Sequence, residues 1–399
     1  MFSANELEKY ARTLWWGLTT ARTKPYVPGD VILLRFDQDA TPLAEAMYDL
    51  LIQEGMVPVP RQNLTPGMEL SFYGKGSDSQ IKTIAPGDRE LTENLSGLIS
   101  LIAPASLTHL SSVDSAKIGL SAVARKFLRE IMEGREQTGA FGWTLCAYPT
   151  AEQARCAGLS LAQYAAQIKQ ACFLDQPDPV AQWRAVHAEV TRVKEALGRL
   201  EIERLHIESA HCDLYVTPGA ERRWLGVSGH NIPSFEVFLS PDWRGTEGVY
   251  FADQPSYRSG NRVEGVRLTF KAGRVVSVTA AQGEEFVNKQ LAMDEGAARL
   301  GEFSLTDRRH SKIGAFMAST LFDENFGGPF GNCHVAVGAS YADTYAGDQA
   351  SLDAARKEAL GFNDSALHWD LVNTEDKTVT ALLKGGGSQL IYAGGEFAL

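Results

Sequence analysis

The stretch DVILLRFDQDATPLAEAMYDLLIQEGMVPVPRQ, Asp30–Gln62, decides the architecture of the first half of the chain. DVILLRF is a near-continuous apolar run of strand length. TPLAEAMYDLLIQEG then repeats its apolar residues at helical spacing between Thr41 and the closing Gly55, and MVPVPRQ is extended again. A strand, a helix and a second strand in that order describe a crossover between parallel strands. The pattern continues with a long helix in SAKIGLSAVARKFLREIMEG (115–134), a strand in AFGWTLCAYP (140–149) and one helix across TAEQARCAGLSLAQYAAQIKQACF (150–173). Residues 1–185 therefore read as an α/β domain built on a mostly parallel sheet.

The texture changes after DQPDPVAQW (175–183), whose two prolines lead into a helix with a charged face. RLHIES, DLYVTP, RVEGVRLTF and RVVSVTA are short segments alternating with period two and joined by turn residues. Helices are expected over EEFVNKQLAMDEGAARL (284–300) and SLDAARKEALGF (351–362). Residues 186–399 form the second expected domain, α+β and rich in antiparallel strands.

Composition excludes several classes. The 399 residues are 44% hydrophobic and 22% charged, without low-complexity runs or a fixed repeat. A formal charge of -11 disfavours nucleic acid as a partner. No apolar run reaches the roughly 18 residues of a membrane span, and the N-terminus MFSANELEKYARTLWWG is unlike a secretory signal, so no membrane association and a cytoplasmic location are expected. Five scattered cysteines without a CxxC pair read as small buried hydrophobes. GxSxG and GxxxxGK[ST] are absent.

The chemistry concentrates in the second half. NIPSFEVF carries Glu236 inside an apolar strand, RLGEFSL carries Glu302 after a helix, DENFGGPFGNCHVAVGASY carries Glu324, His334 and Tyr341, and NDSALHWDLV carries His368 and Asp370. An unpaired buried carboxylate costs several kcal/mol, so Glu236 needs a cation. His368 and Asp370 stand two apart on a strand and so share a face. Carboxylates and imidazoles without thiolates suit Zn, Co, Mn or Fe. Three Glu, one Asp and two His exceed one tetrahedral ion but suit two ions about 3.5–4 Å apart with bridging carboxylates and a bridging water.

At these residues the chain resembles the thermophilic-type metalloaminopeptidases of peptidase family M29. NIPSFEVF is similar to the family's NxPxxEVF, LGE to its helix-ending LGE, LFDEN and HVAVGASY to its DEN and HIAxGxxY, and NDSALHWD to its NxSxxHxD. The resemblance implies two divalent ions per chain (Zn, Co or Mn) held by Glu236, Glu302, Glu324, His334, His368 and Asp370, with Tyr341 beside them. It further implies removal of N-terminal residues from peptides with a free N-terminus, by a homodimer enclosing its active sites. Within that scheme Glu302 or Glu324 moves the proton and Tyr341 donates to the oxyanion. One departure is visible: where the family follows EVF with Thr, this chain has Leu239 and Ser240. Two other readings stand beside this one. The related 2,5-dihydroxypyridine dioxygenases use a single Fe(II), for which His334, His368 and Asp370 would serve. A non-catalytic protein that binds metal or peptide is the other.

Overall fold

The computed structural model describes residues 1–399, apart from the side chains of Ser115 and Ala350. It divides into two compact units, one of 1–183 with 228–232 and the other of 184–227 with 233–399.

The first unit holds a five-stranded parallel sheet in the order Val57–Gln62, Val31–Phe36, Gly97–Ile102, Gly142–Ala147, Asn231–Ile232. The crossover read from Asp30–Gln62 is present, with its helix at Thr41–Gln53 burying Leu43, Met47, Leu50 and Leu51. Pro58 and Pro60 sit on the edge strand, where a missing backbone donor is tolerated. The N-terminal helix Ala4–Ala21 opens with a capping box between Ser3 and Glu6 and buries Tyr10, Leu14 and Leu18 along one stripe. The single helix expected over 150–173 is two, Ala151–Cys156 and Leu161–Ala171. Gly158, in the left-handed region at φ 71, ends the first, and the capping box of Ser160 with Gln163 starts the second.

The second unit is built on antiparallel strands. An eight-stranded sheet runs Arg274–Thr279, Val266–Lys271, Asp242–Ala252, Asp213–Thr217, Ile202–Ser209, Lys377–Leu383, Ser388–Ala393, Glu396–Phe397. A four-stranded sheet runs His368–Asn373, Asn332–Gly338, Leu300–Thr306, Glu236–Leu239. The two inner strands of the smaller sheet are buried at every position, which explains their Leu, Val, Ala and Phe content. The α/β unit followed by an antiparallel α+β unit is the fold class read from the sequence.

The helix expected over 284–300 is shorter, Glu284–Leu291. Asp294 accepts from the N–H groups of Gly296 and Ala297, a local turn that competes with helix continuation. Glu302 consequently lies within a strand and not at a helix end. Among the described residues, no helix is long and apolar enough to cross a membrane. Four of the five cysteines are buried, and all five are free thiols.

Candidate metal centre

Each strand of the four-stranded sheet delivers part of one cluster. Glu236 opens its strand, Glu302 and His334 occupy the two inner strands, and His368 and Asp370 lie on the outer one. Paired residues share a face, and the register sets Thr306 beside Glu236, Ser304 beside His334, and Ala336 beside both Glu302 and Asp370. The cluster therefore lies on one face, over the small side chains Ser304 and Ala336, which leave room above the sheet.

A bulge at Gly301 decides which residue faces the cluster. Leu300 pairs with Val337, so a regular ladder would set residue 301 opposite Ala336; the extra residue hands that place to Glu302. A Cβ at 301 would lie 2.3 Å from the carbonyl oxygen of Ala339, so only glycine fits.

Glu302 uses its two oxygens differently. Oε1 lies 3.1 Å from His334 Nε2, and Oε2 lies 3.6 Å from His368 Nε2. Glu236 Oε2 is 3.6 Å from His334 Nε2, and Asp370 Oδ1 is 3.4 Å from His368 Nε2. Two groups are compact enough to hold an ion each: Glu236 with Glu302 and His334, and Glu302 with His368 and Asp370. Glu302 belongs to both.

The imidazoles are turned so that only Nε2 is offered. His334 Nδ1 lies 3.2 Å from the carbonyl oxygen of Glu324, and His368 Nδ1 lies 2.8 Å from that of Ala339. A carbonyl only accepts, so each Nδ1 carries the proton and each Nε2 faces carboxylate oxygens. A lone pair aimed at carboxylates is stable only with a cation between them, either a proton or a metal ion. The titration behaviour expresses the same frustration. Burial lowers the affinity of His334 for a proton, yet Glu302 and Glu236 raise its pKa to about 9. His368 is opposed by burial and lifted by Asp370 and Glu302, also to about 9. Burial, then Glu302, pushes Glu236 up to about 7.

Glu324 stands slightly apart. It ends the short helix Thr320–Asp323 and is 7% exposed; its carboxyl belongs to neither compact group. Burial, then Glu236, Asp370 and Glu302, hold its pKa well above the ordinary carboxylate value. Tyr341 is 45% exposed, with its ring 4.6 Å from that of His368. Despite that exposure, desolvation of the phenol on the side facing the cluster, then Glu302 and Asp370, hold its pKa above the ordinary value, so it keeps its proton at neutral pH. The structure thus brings together all seven site residues expected from the sequence, with Glu324 and Tyr341 at the margin.

Three supporting residues escaped the sequence reading, and Ser240 was noted there only as a departure from the family pattern. Asn325 accepts from Phe235 N–H at 2.6 Å, fixing the approach to Glu236, and donates to Leu321 and to Glu324 Oε1. Ser234 donates to Glu236 Oε1 at 3.3 Å. Asn363 ties the segment before His368 to the carbonyl oxygens of Gly338 and Gly296. Ser240, at the departure from the family pattern, accepts from Tyr341 N–H at 2.8 Å. Short polar residues beside the ligands in DEN, NxS and EVFLS were the available signal. Asn231 lies in the short strand of the first unit, beside Leu145.

Three carboxylates and two pre-oriented imidazoles on one face of a β-sheet, with Glu324 beside them, define a candidate metal centre. The chain belongs to the thermophilic metalloprotease (M29) family, whose profile matches residues 3–397. It is 35% identical over 263 residues to Aminopeptidase T of Thermus aquaticus, covering 61% of this chain and 62% of that protein. It is 27% identical over 333 residues to Aminopeptidase AmpS of Bacillus subtilis (strain 168), covering 79% of each. The chain thus spans less than two thirds of the length of the Thermus aquaticus relative. In fold it is similar to wild-type AmpT from Thermus thermophilus, with a TM-score of 0.78 and 23% identity across 99% of both chains.

Proposed function

We propose that this protein is a metal-dependent aminopeptidase that removes N-terminal residues from peptides with a free N-terminus. The observation that carries the reading is the position of Glu302, one oxygen toward His334 and Glu236 and the other toward His368 and Asp370. That placement would suit Glu302 to be shared by two divalent ions, Zn, Co or Mn, one of which Glu236 and His334 would help to hold and the other His368 and Asp370. The names of the relatives support the aminopeptidase assignment.

Divalent ions held there would supply a water of lowered pKa and polarisation of the scissile carbonyl. The remaining work falls to the chain. Glu302 is committed at both oxygens, so Glu324 is the proton carrier, taking the proton of the attacking water and passing it to the leaving amine. Tyr341, protonated at neutral pH, donates a hydrogen bond to the oxyanion as the carbonyl becomes tetrahedral. Arg258 donates to the carbonyl oxygen of His368 at 2.8 Å and steadies the outer strand.

A mononuclear His334, His368, Asp370 iron site would leave Glu236, Glu302 and Glu324 buried without a task. We further propose that the protein acts in the cytoplasm as a homodimer. The test supplies the purified protein with Zn, Co or Mn and compares unblocked with N-acetylated dipeptides. Release of amino acids from the unblocked series alone, two ions per chain and loss of turnover with chelator are expected. Equal cleavage of the N-acetylated series, or one ion per chain with oxygen consumption, would sink the reading.

A further inference from the structure

Residues 341–362 leave the four-stranded sheet after Asn332–Gly338 and return ahead of His368–Asn373, and the excursion is closed at its neck. Ser340 N–H donates to the carbonyl oxygen of Asn363 at 2.8 Å, and Asn363 N–H donates to Ser340 Oγ at 2.9 Å. Inside the excursion Tyr345, Leu352, Leu360 and Phe362 pack into a small hydrophobic cluster of their own. Joined ends and a self-packed interior are the features of Ω-type loops, which frequently carry function. Tyr341 is the first residue of this loop. Its ring packs against those of Phe238, at 6.1 Å, and His368, at 4.6 Å.

The consecutive residues Glu221, Arg222 and Arg223 grip the loop from outside. Glu221 accepts from Arg356 through both carboxylate oxygens, at 2.6 and 2.7 Å. Arg223 donates from its N–H to the carbonyl oxygen of Thr344 at 2.9 Å and from Nε to that of Asp343 at 2.8 Å. Glu221 is held at φ 54, a left-handed strain that persists only where the surroundings over-determine the backbone and that gathers at functional sites.

Arg222 binds both limbs of the arrangement at once. It donates from Nε to the carbonyl oxygen of Ser240 at 2.7 Å, from Nη2 to that of Leu360 at 2.9 Å and from Nη1 to that of Ala220 at 2.8 Å. Its guanidinium carbon also lies 3.4 Å from the centre of the Phe362 ring. Burial lowers its pKa to about 10, so it stays charged at neutral pH. Hydrogen bonds from a charged donor are the stronger kind, and the planar fork fixes directions that an ammonium would leave free. Ser240, fixed in this way at its carbonyl, accepts the Tyr341 N–H on its hydroxyl. The far end of the loop and the residue that holds its first amide are thus joined through one side chain.

We propose that Arg222 is a positioning residue, pinning the loop 341–362 to Ser240 and so holding the Tyr341 phenol in place beside His368, a role that rests on the aminopeptidase reading for the task of Tyr341. A displacement of about 1 Å at a group that acts in the transition state costs on the order of a hundredfold in rate.

The test takes the full, metal-loaded protein with Arg222→Ala and Arg222→Lys, each alone and combined with Tyr341→Phe. With Ala-Ala as substrate, R222A should lower kcat about tenfold or more while KM changes less than about threefold, and R222K, which keeps the charge and the stem but not the fork, should lose about fivefold. On top of Tyr341→Phe either change should cost less than about twofold, because it acts through a hydroxyl already removed. A loss of equal size in both backgrounds makes Arg222 a purely structural residue and overturns the proposal. Hydrogen exchange supplies a readout that needs no substrate. Amides of 341–362 should exchange about tenfold faster in both variants, with those of Leu300–Thr306 and Asn332–Gly338 at the parent rate. Acceleration spread through those strands, or none in the loop, overturns the proposal, and R222K is the variant read if R222A does not fold. Absence of parent turnover with Ala-Ala and every other unblocked dipeptide sinks the aminopeptidase reading separately. Exchange confined to the loop then still supports the pin, and its absence overturns it.

Discussion

His334 is locked to Glu324 through the backbone: its Nδ1 lies 3.2 Å from the carbonyl oxygen of the residue proposed to carry the proton. The bond fixes the imidazole tautomer and, through it, the direction of Nε2 toward Glu302 and Glu236. A group assigned to the ion and a group assigned to the proton thus share one rigid link, and the centre is expected to respond as a unit.

Removal of metal is the most direct probe. Without an ion, the carboxylates of Glu236, Glu302, Glu324 and Asp370 repel one another in a buried space, and the chelated protein should unfold at lower temperature. At a metal concentration a thousandfold above Kd, binding adds about 4 kcal/mol. Binding displaces protons from His334 and His368, whose pKa values are about 9, so apparent affinity should fall as pH drops below that value. Calorimetric unfolding with and without Zn, between pH 6 and 9, checks both.

Glu302→Gln should reverse its sign with metal. In the chelated protein it removes a buried charge and stabilises by about 1–3 kcal/mol; in the loaded protein it removes the shared ligand and destabilises. Turnover should drop about a hundredfold or more. Parallel melting curves would detect the crossover, and destabilisation in both states would contradict the shared-ligand assignment.

Gly301→Ala should cost about 1–3 kcal/mol through the forced contact with the Ala339 carbonyl oxygen. Because the bulge also aims Glu302, the variant should bind less metal per chain even when folded. Metal analysis of the folded fraction separates misdirection of Glu302 from plain instability.

Tyr341→Phe should lower kcat about a hundredfold, with KM changed by a few-fold, if the phenol acts on the oxyanion. Ser240→Ala, which frees the Tyr341 backbone, should produce a smaller loss. The double variant should be no slower than Tyr341→Phe alone, since both act through one hydroxyl.

Asp307 provides a pH prediction outside the centre. It is 1% exposed; burial raises its pKa, but Arg309 and the N–H groups of Phe397 and Arg309 outweigh that and hold it below the ordinary value. A depressed folded pKa means stabilisation that is fully present above the unfolded pKa, about 3.9, and lost as pH falls through the folded value. Asp307→Asn should therefore destabilise at pH 7 and bring the acid-unfolding curves of variant and parent together below about pH 4. Parallel curves down to pH 2 would exclude this role for Asp307.

Asp30–Gln62 showed its crossover in the sequence because a buried parallel strand and an amphipathic helix each write their own period. The six carboxylates and imidazoles of the candidate site were equally visible, since such groups stand out in apolar runs, whereas Tyr341 came from the family resemblance. The break at Gly158 and the early end of the helix at Leu291 were not, because both depend on single turns that compete locally with a helical pattern.

What the sequence alone determined is the fold class, the family motifs and a candidate donor set: these follow from residue type and short-range spacing. The tertiary structure alone decided that Glu302 stands between two groups of candidate ligands and that Gly301 turns it there. Those relations join residues far apart in the chain, and only strand register and packing fix the distances between them. A bulge of one residue changes which side chain faces the cluster without altering the local pattern from which a strand is read.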